Sequence, residues 1–223
     1  MASRRFVVIG LGGFGSWVAR ALHDEGLDVV ALDLDAELVD RYANLVTRCV
    51  VGDGTDPDLL ERVGAAGADA AVVSTGGDLA ASIMAVMALK EVGVKEIYAK
   101  VQSLRAARAL ERFDIREMIF PEREAAQRLA RRLQSTTILD YVSLGEDYSI
   151  QEMAVPDAWL GKTLRELGLP RQYGVQVVAL FDVLKGTWRV VPDPDEALTE
   201  SDVAVVAGSD DTLARLTRVV EEG

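Results

Sequence analysis

Histidine and cysteine are almost missing from this chain, with one of each among 223 residues. A disulfide framework needs paired cysteines and a His/Cys metal site needs several ligands, so both are excluded. Basic residues are also short: 24 Lys and Arg against 36 Asp and Glu give a net charge of −12. That balance argues against non-specific nucleic-acid binding through a basic face. Long apolar runs are lacking as well. A membrane-spanning helix needs about 20 mostly apolar residues, and the best stretch here, Leu79–Leu89, is much shorter and contains Ser82. The apolar run behind Met-Ala-Ser-Arg-Arg is too short for a signal-peptide core and ends in glycine. A cytosolic protein of a reducing compartment is therefore expected.

What is present is a globular composition, 49% apolar and 27% charged, long enough for one large domain or two small ones. A short unbroken apolar run, as in a strand buried on both faces, stands at Phe6–Gly10, and further strands are expected at Val29–Leu32, Thr47–Val51, Ala70–Ser74, Glu96–Val101 and Met118–Phe120. Helical spacing fills the intervals at Phe14–Glu25 (Val18, Ala21 and Leu22 on one face), Ala36–Ala43, Pro57–Val63, Leu79–Val92 and Leu104–Phe113. Strands alternating with helices predict a Rossmann-like, doubly wound parallel α/β sheet.

The pattern changes after residue 121. A long helix is predicted over Glu122–Leu139, with Ala125, Leu129 and Leu133 in one stripe widened by Ala126 and Ala130; an apolar cluster follows at Ile138, Leu139, Tyr141 and Val142. Beyond Gly145 the βαβ order is lost. Strands are expected at Ser149–Val155 and Val203–Ala207, and a hairpin at Val175–Phe181 and Thr187–Val191 around Lys185-Gly186. Helices are expected at Leu160–Leu167 and Asp211–Glu222, the latter with Leu213, Leu216, Val219 and Val220 on one side. The expected organisation is a nucleotide-binding domain over 1–121, a helix and linker over 122–145, and a smaller C-terminal α+β domain over 146–223.

Gly10-Leu11-Gly12-Gly13-Phe14-Gly15 matches G-x-G-x-x-G and stands between a buried strand and a helix, the context that gives the pattern meaning. Gly10 permits the tight turn, Gly12 lets the backbone approach a phosphate, and Gly15 lets the helix pack on the strand. The N–H groups at the start of the helix then face an anion. Asp33 ends the second strand, 18 residues beyond Gly15. Its carboxylate can accept from both ribose hydroxyls and repels a 2′-phosphate; its other role would be to cap the Ala36 helix. Gly52-Asp53-Gly54-Thr55 and Thr75-Gly76-Gly77-Asp78 follow strands three and four, on the edge where such sheets bind ligands. Asp53 can accept from an adenine amino group or close an Asx turn. Thr75 and Gly76 belong to a ligand loop or to a plain turn before a helix capped by Asp78. Lys100 can meet a phosphate or stay solvated. Glu122 either meets the dipole of its helix or holds a cation.

Catalytic groups do not accompany this loop. His23 falls in the last turn of the first helix, Cys49 among apolar neighbours, and no tyrosine has a lysine four residues on. Neither a Gly-x-Ser-x-Gly elbow nor a Gly-x-x-x-x-Gly-Lys-Ser/Thr loop occurs. Asp193-Pro194-Asp195-Glu196 reads as an exposed turn. A nucleotide site without catalytic groups implies sensing, not turnover; the alternative is an NAD-dependent oxidoreductase or a redox-sensing nicotinamide-binding protein.

Taken in order, the glycine loop, Asp33, Val51-Gly52-Asp53-Gly54-Thr55, Ala99-Lys100-Val101-Gln102 and Phe120-Pro121-Glu122 resemble the RCK (TrkA-N/TrkA-C) family, regulators of potassium conductance. Asp147-Tyr148-Ser149-Ile150 and Arg171-Gln172-Tyr173-Gly174 resemble its smaller C-terminal module. The resemblance spans nearly the whole chain and is strongest to KtrA-type cytosolic subunits of bacterial potassium uptake systems, then to Trk-type subunits. It implies a regulatory, non-enzymatic subunit that gates a membrane potassium channel or transporter from the inner face of the membrane, without inserting. It implies a homodimer with the long helix crossing over, assembled into a homo-octameric ring. Nucleotide contacts are implied for Gly10, Gly12, Gly13, Phe14, Gly15, Asp33, Asp53, Gly54, Thr75, Gly76 and Lys100, with Glu122 as ligand of a cation such as Mg2+. ATP or ADP is the first expected ligand and NAD or NADH the second. The chain departs from the family at Gly13, where ATP-switched members often carry an arginine that reaches a γ-phosphate, so AMP and NAD/NADH responses stay open. Some relatives bind cyclic di-AMP through an arginine of the C-terminal module; Pro170 stands at the aligned position here, with Arg171 beside it.

Overall fold

The computed structural model describes residues 4–134, 138–145 and 147–222. The chain forms two compact units, Met1–Arg123 and Glu124–Gly223.

The first unit contains β1 (Arg5–Ile9), α1 (Gly13–Asp24), β2 (Asp28–Asp33), α2 (Ala36–Tyr42), β3 (Arg48–Val51), α3 (Pro57–Arg62), β4 (Ala70–Val73), α4 (Leu79–Glu91), β5 (Glu96–Lys100), α5 (Leu104–Leu110) and β6 (Glu117–Ile119). Its six strands are all parallel, in the order β3-β2-β1-β4-β5-β6. Successive residues of β1 serve opposite faces. Val7 and Ile9 join Leu60, Val86, Leu89 and Leu110 of α3, α4 and α5. Val8 joins Ala19 and Val39 of α1 and α2. Helices on both faces of a parallel sheet make this the doubly wound fold expected from the alternation of strands and helices. Each fully buried Leu, such as Leu60 or Leu89, contributes about 1.5–3 kcal/mol by leaving water. The buried stripe of α1 is Gly15, Ser16 and Ala19, with Val18 and Leu22 at its margin. Ala21, expected on that stripe, is exposed.

Reversal of strand order between β1 and β4 opens a crevice at the carboxyl ends of the strands, the usual place for a ligand in such sheets. The three helices beside it that follow β2, β3 and β4 start from aspartate caps: Asp35, Asp56 and Asp78 each accept a backbone N–H of the first turn. α1 starts at Gly12, which offers no side-chain cap.

α6 (Pro121–Gln134) ends before Leu139, and β7 (Ile138–Ser143) follows. The long helix is thus shorter than expected. Residues 135–137 of the expected helix, and the side chain of Ile138, lie outside the described residues. Leu139, Tyr141 and Val142 belong to a strand, not to a helical cluster. The expected stripe of α6 is uncovered in this chain: Ala125, Ala126, Leu129 and Ala130 are all exposed, and Leu133 is 77% exposed.

The second unit continues with β8 (Tyr148–Ala154), α7 (Leu164–Leu167), α8 (Leu169–Gln172), β9 (Gln176–Asp182), β10 (Thr187–Val190), β11 (Asp202–Ser209) and α9 (Asp210–Glu222). Its strands form an antiparallel sheet in the order β10-β9-β11-β8-β7. One face packs Met153, Val177, Leu180 and Val206 against Leu213 and Leu216 of α9. Val219, expected on that side, is half exposed. The expected hairpin forms between β9 and β10, where Asp182 accepts from the N–H groups of Leu184 and Lys185 and pairs with the Lys185 ammonium at 2.9 Å. The helix expected over Leu160–Leu167 starts only at Leu164, because Gly161 takes a left-handed φ of 74° and Thr163 caps the helix in a capping box with Glu166. At the sheet edge, Trp188 lies 4.7 Å from Phe181, centroid to centroid, and Val190 and Val191 are exposed. Val191 takes a left-handed φ of 56°, which a β-branched residue rarely adopts.

Candidate functional site

Gly10 sits at φ 92°, with its N–H donating to the Leu32 carbonyl at 2.8 Å. A Cβ there would stand 2.2 Å from the Ser74 carbonyl oxygen. A Cβ on Gly15 would stand 1.9 Å from the Gly10 carbonyl oxygen. The fold itself therefore demands both glycines. Gly12 and Gly13 differ. Both are exposed, and a Cβ on either meets nothing within 4 Å. Gly12 has ordinary extended angles, φ −62° and ψ −173°. Neither packing nor conformation calls for glycine at Gly12, whereas a phosphate held close to the loop would.

Behind the loop, the buried Leu11 donates its N–H to Asp33 Oδ2 at 2.6 Å. Asp33 Oδ1 accepts from Asp35 N–H at 2.9 Å. Asp33 thus clamps the glycine loop to the end of β2, and Asp35, not Asp33, caps α2. A carboxylate has about four lone-pair positions, so acceptor capacity remains for a ribose.

Two further loops close the crevice. Asp53 Oδ1 accepts from the Thr55 N–H at 2.9 Å and hydroxyl at 2.7 Å, which is an Asx turn. Gly54 is buried, and a Cβ there would stand 2.3 Å from Ile9 Cγ2. Thr75 shares a 2.7 Å hydrogen bond with Ser82, Gly76 turns at φ 72°, and Asp78 accepts from Ala81 N–H at 3.0 Å as the cap of α4.

Together these loops enclose a cavity of about 330 Å³, within the range of small-molecule sites. Gly10, Gly12, Asp33, Asp53, Gly54, Thr75 and Gly76 all line it, joined by Asp78. Gly13 and Phe14 stand at the first turn of α1 without lining it; the Phe14 ring packs into the core on the α1–α2 face. Gly15 lies beneath the loop.

Lys100 and Glu122 also fall outside the cavity. They were expected as a phosphate contact and a cation ligand; instead they pair with each other, Lys100 Nζ to Glu122 Oε1 at 2.5 Å. Lys100, hydrogen bonded to Glu122, holds that carboxyl below the usual range. A divalent cation takes several oxygen ligands, and among the described residues no group of three carboxylates, histidines or cysteines is placed to hold one. Within one chain, then, the residues present do not fit a cation at Glu122. Sequence reasoning missed this pair, although the Lys100 and Glu122 positions both fall at carboxyl ends of neighbouring strands.

His23 lies in the last turn of α1, with its Nδ1 buried and without a hydrogen-bond partner among the described residues. Burial pushes the Cys49 thiol up, and its side chain packs against the α1–α2 core. Both stand outside the cavity.

Comparison with known proteins agrees with this layout. The TrkA-N domain family model matches residues 6–121 and the TrkA-C domain model residues 150–220. The Ktr system potassium uptake protein C of Bacillus subtilis (strain 168) is 34% identical over 218 residues, covering 97% of either chain. The Ktr system potassium uptake protein A of Vibrio alginolyticus is 32% identical, covering 95% of either. Among solved structures, the GsuK channel superposes with a TM-score of 0.68 at 18% identity, over 98% of this chain and 40% of that one. The GsuK channel bound to NAD gives 0.65 at 18%, over 96% and 39%. The chain spans less than half of those channel chains, and at that identity the likeness is one of fold.

Proposed function

The chain belongs to the TrkA-N/TrkA-C family, and on that footing we propose that it is a nucleotide-responsive regulatory subunit of a potassium uptake system. One observation carries the nucleotide part: Gly12 meets no constraint from the fold yet lies at the mouth of a strand-end cavity that also presents Asp33. Likeness to two Ktr potassium uptake proteins over nearly their full length carries the transport part.

An adenine nucleotide is the ligand that fits this reading, ATP or ADP or a nicotinamide dinucleotide, with its phosphates at the N-terminus of α1 and its ribose on Asp33. The exposed stripe of α6 supports a crossover dimer, in which a second copy covers Leu129 and Leu133. Assembly of such dimers into an octameric ring would let nucleotide occupancy bias a two-state gate on a membrane potassium channel or transporter from its cytoplasmic side. Domains over 1–121 and 146–223, joined by 122–145, complete this reading. Among the described residues no helix is long and apolar enough to cross a membrane.

Deleting the gene in a strain without other potassium uptake systems should abolish growth at low potassium, and wild-type protein should restore it. Growth unchanged by the deletion would refute the transport role.

A further inference from the structure

We propose that a cavity of the second unit binds a small monocarboxylic acid with an apolar body. The cavity measures about 570 Å³, within the range of small-molecule sites. Residues of the turn Asp157–Trp159, of α7 and α8 and of the last turns of α9 line it, so it lies wholly within the second unit.

Its walls are largely apolar. Leu216 of α9 is buried in the core of this unit, but Val219, almost one turn further on, borders the cavity and is 51% exposed. Leu167 and Leu169 line the cavity as well. A hydrocarbon chain or ring laid on these residues would take Val219 out of water, which favours binding in proportion to the apolar area covered.

The polar groups of the cavity are mostly donors. Trp159 belongs to the core and is 5% exposed. A buried tryptophan normally gives its indole N–H a hydrogen bond. This one has no partner among the described residues, yet its nitrogen is not among the atoms sealed from water. The small accessible part of Trp159 therefore includes an unused donor, on the cavity that the residue lines. Tyr173, half-buried beside it, has a hydroxyl without a partner among the described residues. Lys162 is held in place by its main chain: its N–H donates to the Trp159 carbonyl at 3.0 Å and its carbonyl accepts from the Leu198 N–H at 2.9 Å. Its ammonium is in no ion pair among the described residues. Indole and ammonium groups donate and cannot accept, so the group that complements them is an acceptor, and a charged acceptor bonds more strongly. Lys162 is the one cation of the lining, and Glu166 the one carboxylate, with its Oε2 accepting from the Thr163 N–H at 2.8 Å and hydroxyl at 3.2 Å. One negative charge on the ligand is matched by Lys162; a second would meet Glu166 with no further cation to offset it. A carboxylate head on an apolar body satisfies both halves of the cavity.

The test is a titration of the full chain with octanoate, with 1-octanol as its uncharged counterpart. The chain has three tryptophans, and Trp17 and Trp188 are exposed, so Trp17→Phe/Trp188→Phe leaves Trp159 as the sole indole emitter. Octanoate should change its fluorescence saturably, with a Kd below about 1 mM, and should bind at least about threefold more tightly than 1-octanol. Lys162→Gln, an exposed substitution, should weaken octanoate about three- to fivefold and leave 1-octanol unchanged. In the otherwise unaltered chain, Trp159→Phe keeps a ring in the core but removes the donor, and should weaken octanoate about tenfold by calorimetry. A fluorescence change that does not saturate by about 10 mM octanoate would overturn the site. 1-Octanol binding as tightly as octanoate, or octanoate affinity unmoved by Lys162→Gln, would overturn the assignment of an acid.

Discussion

Replacing Asp33 by alanine removes two hydrogen bonds at once, and their surroundings set different costs. The Leu11 N–H, 2.6 Å from Oδ2, belongs to a residue that is 1% exposed. Left without a partner, a buried donor costs about 1–3 kcal/mol. The Asp35 N–H is exposed, so water replaces the carboxylate there at little cost. A net loss of about 2 kcal/mol lowers the melting temperature of a unit of this size by roughly 6–10 °C. A ribose hydrogen bond to a charged acceptor adds about 1.5–3 kcal/mol to binding, so nucleotide affinity should fall roughly ten- to a hundredfold. Three readouts separate these effects: calorimetric melting, hydrogen exchange at the Leu11 amide, and nucleotide titration. Asp33→Asn, which keeps one acceptor oxygen, should fall between wild type and Asp33→Ala in all three. Unchanged Leu11 exchange in the alanine variant would show that the clamp does not hold the loop. Unchanged nucleotide affinity would show that the ribose does not sit there.

A paired substitution tests the division of labour among the glycines. Gly15→Ala drives a Cβ against a backbone carbonyl at 1.9 Å and should cost about 3 kcal/mol or more in urea unfolding, whereas Gly12→Ala should stay within about 0.5 kcal/mol yet weaken nucleotide binding. Equal effects of the two on stability would refute it. In the second unit, the Lys185 ammonium and then the Lys185 N–H lower the Asp182 carboxyl to about 2. Because the folded value lies below the unfolded one of about 3.9, its contribution is full above that unfolded value and disappears as pH falls through about 2. Unfolding of wild type and Asp182→Asn followed from neutral to acid pH should converge across that window; parallel curves would contradict the assignment.

How much of this was legible beforehand depended on how local the causes are. The parallel sheet and glycine loop could be read because Phe6-Val7-Val8-Ile9 and Ala70-Ala71-Val72-Val73 are uninterrupted apolar runs and the turns after β1, β2, β3 and β4 each carry their own glycine or aspartate. Asp33 was found by its spacing, but its hold on Leu11 could not be, since that contact crosses from one loop to the next strand's end. The end of α6 was misplaced although Leu139 stands well off the Leu129–Leu133 stripe at helical spacing; β7 opens at Ile138, and Tyr141 and Val142 favour a strand by type, so this boundary was recoverable. The late start of α7 was recoverable: Thr163 and Glu166 stand at capping-box spacing just after Gly161. Lys100 and Glu122 were each placed along the chain, but their pairing was not read, because it rests on the ends of neighbouring strands that only the sheet order brings together.

β10 is an outer strand with an apolar, exposed surface, Trp188 and Val190, and such a margin is a template on which unfolded chains stack. It is only four residues long. Val191 turns it aside at φ 56°, and Pro192 and Pro194 withhold main-chain donors just beyond. A strained valine of this kind costs about 1–3 kcal/mol. Its return is colloidal: the ribbon stops before it offers enough free amides to seed an aggregate.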